Sequence, residues 1–216
     1  MKFVNNDGKN NKWWNKNYFW AISIFYILFN ITLFAILGRN NLLWPLAEQK
    51  WSIFNGLKEL FISLGNAFTH NDWQHVLCNM VAFSFSAFYL ERKLGTINFG
   101  CLIVLLSLFS SALTSMYAGL FWAGSSVLYF ALWGYCLVDF LFSLRKSKKT
   151  KTNTIIGAIV VCCLYLGTHF SGFISVSALP IQLIYNACHY FGFIVGIVFA
   201  LVVGITSLQI EKSKKL

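Results

Sequence analysis

Charge is scarce in this chain: 11% of its 216 residues are Asp, Glu, Lys or Arg, and seven are acidic. Soluble globular domains carry about 25% charged residues, so ordinary soluble classes are excluded. Metal-type cysteine spacing is also lacking. Cys78, Cys101, Cys136, Cys162, Cys163 and Cys188 form no CxxC pair and lie in apolar stretches, which reads as small buried hydrophobes rather than a zinc or redox motif. No solenoid-type repeat and no second domain are evident.

What is abundant is apolar surface, with 57% hydrophobic and 18% aromatic residues. A helix needs about 20 consecutive apolar residues to cross the hydrocarbon core. Such stretches recur at 18–38, 74–91, 98–117, 124–144, 154–170 and 187–208, predicting an all-α polytopic membrane protein with six spans. The polar, lysine-bearing start looks like the n-region of a signal peptide. The apolar run after it is too long for an h-region, so the first span is expected to be retained.

The formal charge of +10 is not a nucleic-acid footprint, because the basic residues sit in short segments between spans. With six spans, 14 of the 17 Lys and Arg share one side, and only Arg39, Lys50 and Lys58 lie on the other. The positive-inside rule then puts both termini in the cytoplasm, with 1–17 as an N-terminal segment, 18–208 as the membrane domain and 209–216 as a tail. Residues 39–73, with Trp44, Trp51 and Trp73, read as an interfacial, partly helical outer loop. Segment 171–186 is an uncharged outer loop, and 146–152 a basic inner turn.

In this topology the second, fourth and sixth spans run inward, so polar residues at their starts share one depth. His75 and Asn79 lie one turn apart on one helix face, Ser126 opens the fourth span and His189 the sixth. Ionisable groups in a bilayer usually face a protein interior or a watery cavity. A serine and a histidine there can act as nucleophile and general base. Asp139 stands thirteen residues from Ser126, about 20 Å along a helix, so a dyad rather than a triad is expected, with Asp139 pairing the basic turn instead. Free N–H groups at the helix start favour an oxyanion at Ser126. Gly192, Gly196, Ala200 and Gly204 permit close helix packing, and Phe130 shares the Ser126 face and can stack on His189. His169 has no motif around it.

Three segments resemble the rhomboid intramembrane serine proteases. FTHNDWQHVLCNM with LERKLG is similar to their second-helix signature, at His70, His75, Asn79, Glu91, Arg92 and Gly95. GSSVLYFALWGY resembles the GxSG nucleophile segment through Gly124, Ser126 and Gly134, and CHYFGFIVG the HxxGxxxG helix through His189, Gly192 and Gly196. The resemblance implies a six-helix rhomboid-like bundle of the bacterial plasma membrane. It implies cleavage of peptide bonds in or beside transmembrane segments of other membrane proteins. Ser126 would be nucleophile and His189 base, with His75, Asn79 and the Ser126 N–H as oxyanion donors. His70 would tie down the outer loop, 171–186 would be a movable cap and the fifth helix a gate. No metal or cofactor is required.

The chain departs from the family at Val127, where glycine is usual and a β-branched side chain would narrow the space for substrate. It also carries Phe61 and Ile62 where a Trp-Arg pair is common. The rival readings are a proteolytically inactive relative that binds client transmembrane helices and a metal or haem protein using His70, His75 and His189. For the topology, cysteine accessibility mapping is expected to label residue 150 only from the cytoplasmic side. Labelling from outside intact cells would overturn the orientation.

Overall fold

The structure, a computed structural model, describes residues 20–38, 57–118, 125–143 and 188–204, together with 155, 157 and 159. The described residues are helical apart from short connections: α1 (Ala21–Leu37), α2 (Leu57–Asn66), α3 (Trp73–Leu94), α4 (Thr96–Ala118), α5 (Ser126–Ser143) and α6 (Cys188–Gly204). Five of these correspond to expected spans, and α2 lies in the expected outer loop. Residues 155, 157 and 159 are helical within the expected fifth span. The rest of that span, residues 1–17, the basic turn 146–152, the loop 171–186, the tail 209–216 and His169 lie outside the described residues.

Polarity is distributed inside out. Phe25, Leu28, Ile36, Val81, Phe85, Phe109, Ile194 and Val202 are exposed, while Ser23, Asn30, Asn79, Glu91, Ser110, Thr114 and His189 are buried. Such a surface suits lipid as solvent. Two segments, Thr96–Thr114 and Ser126–Ser143, are long and apolar enough to cross a bilayer, and Ala21–Leu37 and Cys188–Gly204 are shorter apolar helices. Trp73 projects partly exposed at the start of α3, its ring edge-on to Phe34 at 5.0 Å. The cysteines divide: Cys136 and Cys188 are buried, but Cys78 and Cys101 face outward. Burial was expected of all of them. In a bundle with an apolar exterior, a thiol suits the lipid face as well as the core.

The centre of the bundle is α5, buried on nearly every side, as befits a helix apolar all round. It packs against α3 and α4, and α1 lies along α3. Its contact with α6 is between backbones. A Cβ placed on Gly134 would collide with the Phe193 carbonyl oxygen, one on Gly192 with that of Val127, and one on Gly196 with that of Ala131. Small residues from both helices therefore interdigitate, giving the very close approach that glycine permits between membrane helices.

A polar clamp joins the start of α1 to the end of α3. Trp20, at the start of α1, has φ of 67° and gives no side-chain cap. The missing cap is supplied from α3. Glu91, 2% exposed, accepts from Ile22 N at 3.0 Å, Ser23 N at 2.9 Å and Ser23 Oγ at 2.6 Å. A carboxylate here satisfies orphan helix donors and opposes the positive end of the helix dipole. Gly95, with φ of 83°, then ends α3 and lets α4 begin at Thr96.

Asp139 departs from expectation. Its carboxylate accepts from Tyr89 Oη at 2.7 Å and forms an ion pair with Lys93. Its partners thus come from the last two turns of α3, because Asp139 lies on the side of α5 that packs against α3, rather than from the basic turn. Trp133 Nε1 donates to the Ala82 carbonyl at 3.2 Å along the same helix pair.

Glu91→Ala would leave three buried donors without their acceptor. The expected cost is about 3 kcal/mol or more, read as a lower unfolding midpoint in detergent micelles. Arg92→Ala, at the neighbouring exposed position, is expected to change it little.

Candidate active site

The candidate residues come from the starts of α3, α5 and α6. Asp72 caps α3 by accepting from His75 N at 2.7 Å, which sets the helix to begin just ahead of His75. His75 and Asn79 follow one turn apart. His75 Nε2 and Asn79 Nδ2 are both buried and have no hydrogen-bond partner among the described residues. Buried polar atoms are normally paired, and here two unpartnered ones lie on one helix face; Asn30, His70, Ser110 and Thr114 each carry another among the described residues.

At α5 the Ser125 carbonyl accepts from Tyr129 N at 3.1 Å, opening the helix, and Ser126 is its first residue, 3% exposed. The free N–H groups of the first turn therefore begin at Ser126. His189, 7% exposed in the first turn of α6, stacks on the fully buried Phe130 ring at 4.3 Å and 24°. Together with the Gly192 contact on Val127, this sets the first turn of α6 against the first turns of α5. Gly124 lies outside the described residues.

Val127 is buried, and its Cγ1 lies 3.2 Å from where a Cβ on Gly192 would be. Its side chain thus fills the gap that Gly192 leaves between the helices. Of the pair where the family commonly has Trp and Arg, Phe61 is exposed and Ile62 buried.

His70 does more than tie down a loop. It is 1% exposed, its Nε2 is 3.2 Å from Ser125 Oγ, and its ring stands edge-on to His75 at 5.2 Å. Burial, reinforced by His75 and opposed by Phe68 and Asp72, holds its pKa well below the ordinary histidine range. Sequence reading passed over Ser125, Tyr26 and Asn30, all buried polar groups close to the site. The available signal was an asparagine and a tyrosine one turn apart inside an apolar span, and a second serine beside Ser126.

Comparison with known proteins gives the family. A family model described as Rhomboid domain matches residues 57–206, and the chain belongs to the rhomboid family, polytopic helical proteins of the membrane. It is similar to Rhomboid protease GlpG of Serratia proteamaculans (strain 568), with 25% identity over 172 residues, covering 78% of this chain and 56% of that protein. The chain thus spans little more than half the length of that relative.

A histidine kept neutral in the fold but free to protonate when unfolded makes stability fall with acidification. The stability contributed by neutral His70 is intact above the ordinary histidine pKa, and is expected to decline as pH drops below about 6.5. Unfolding midpoints of wild type and His70→Asn between pH 7.5 and 5 check this. The wild type should show the steeper loss, and equal slopes would refute the reading.

Proposed function

We propose that this protein is an intramembrane serine protease that cleaves peptide bonds in or next to transmembrane segments of other membrane proteins. The observation that carries the reading is the pair of unpartnered buried donors, His75 Nε2 and Asn79 Nδ2, on α3, in a chain whose family match also spans Ser126 and His189. The protein has six spans, the fifth within 154–170, with both termini in the cytoplasm of a bacterial cell.

In this mechanism Ser126 Oγ attacks the scissile carbonyl while His189 takes its proton. The tetrahedral oxyanion accepts hydrogen bonds from His75 Nε2–H, Asn79 Nδ2–H and the Ser126 N–H, each worth about 3 kcal/mol in other oxyanion holes. The C–N bond then breaks, and the imidazolium returns the proton to the leaving amine. Water, deprotonated by His189, hydrolyses the acyl-enzyme and frees Ser126. Phe130 holds the imidazole by stacking, and Gly192 and Gly196 let α6 approach closely enough to bring it there. The loop 171–186 acts as cap and the fifth helix as gate. The chemistry uses no metal or cofactor.

Val127 favours a second reading, a relative that binds client transmembrane helices without cutting them. With its Cγ1 directed at Gly192, this valine is a packing residue, and the protease reading is preferred.

Ser126→Ala and His189→Ala are each expected to abolish turnover of a model transmembrane substrate in liposomes, and the double variant to lose no more than either. Wild type should be labelled by a fluorophosphonate, and Ser126→Ala should not. Residual proteolysis in either single variant would show the dyad to be misassigned. Absence of labelling and turnover in wild type would favour the client-binding relative. Comparing membrane proteomes with and without Ser126→Ala identifies the substrates.

A further inference from the structure

Two hydrogen bonds behind the candidate site hold the α2–α3 connector. Tyr26 Oη, on α1, donates to the Ala67 carbonyl at 3.0 Å. His70 Nε2, in turn, is hydrogen-bonded to Ser125 Oγ at 3.2 Å. The links are deeply buried: Ser125 is 0% exposed, His70 1% and Tyr26 5%. Ala67 and His70 both belong to the connector, which is thus tied to α1 by the first bond and to the start of α5 by the second.

The His70–Ser125 bond joins the two halves of the site. His70 leads into α3 and its ring packs on His75, one of the two donors. Ser125 carries the carbonyl that opens α5 and is bonded directly to Ser126. An N-terminal serine ordinarily caps its own helix. The Ser125 hydroxyl meets His70, so its bond fixes one helix start against another.

We infer that the Ser125 hydroxyl is a positioning group for catalysis: bonded to His70, it sets the height of the first α5 turn, and with it Ser126, against His75 and Asn79. The inference rests on the protease reading. A misplacement of about 1 Å can cost a hundredfold in rate, so loss of one restraint among several is expected to cost about tenfold.

The test compares wild type, Ser125→Ala, Tyr26→Phe and the double variant in liposomes well below their unfolding midpoints. Readouts are turnover of the transmembrane substrate and the rate of fluorophosphonate labelling. Ser125→Ala is expected to lower kcat and the labelling rate about tenfold with KM nearly unchanged. Tyr26→Phe, which keeps the ring, should produce a similar loss and serves if Ser125→Ala fails to fold. The double variant should be little slower than either single one, because both release the same connector. Labelling of the folded single variants at the wild-type rate, or a loss confined to KM, overturns the positioning role while leaving the protease reading intact. A wild type that neither labels nor cleaves overturns both.

Discussion

The contact on which the rest of the site depends is the backbone-to-backbone meeting of α5 and α6. Gly192 and Gly196 face the carbonyl oxygens of Val127 and Ala131, and Gly134 faces that of Phe193. Lipid tails are as apolar as leucine, so no hydrophobic force drives these helices together, and close packing must do so. Any side chain at these positions would separate the helices. The His189 ring would then lose its seat on Phe130, and the first turn of α6 would move away from that of α5.

Around this contact, polar groups fix the remaining helices because the bilayer offers them no other partners. Glu91 caps α1 from the end of α3, Asp139 ties α5 to Tyr89 and Lys93, and Trp133 donates to α3. These bonds cluster toward the C-terminal half of α3 and along the α3–α5 seam. At the opposite end of the bundle the His70–Ser125 and Tyr26–Ala67 bonds take over. The proposed oxyanion donors and nucleophile ride on different helices, and these seams hold them in register.

Val127 shows how a departure from a family pattern is absorbed. A glycine beside the nucleophile leaves room that a valine would seem to fill at the substrate's expense. Its Cγ1 instead occupies volume next to Gly192, where α6 has no side chain. The valine on α5 and the glycine on α6 are complementary, a relation that neither motif reveals when read alone.

Much of the fold is legible in the amino-acid sequence. Apolar run length and the uneven placement of Lys and Arg define a polytopic helical protein, because bilayer thickness and insertion act on local sequence. The helix starts near His75, Ser126 and His189 and the glycine stripe of α6 are likewise local patterns, and three such motifs suffice for the family. Partner choice is not legible there. Whether Asp139 meets Lys93 or the basic turn, whether Cys78 and Cys101 face inward, and that Ser125 bonds His70 rather than capping its helix all depend on how each helix is rotated about its axis. That rotation is decided by packing between segments far apart in the chain. The sequence by itself determined which segments are apolar helices and which of them carry the family's motifs. Only the tertiary structure decided which polar groups meet, since a side chain on a helix of 3.6 residues per turn can address several neighbours until packing selects one.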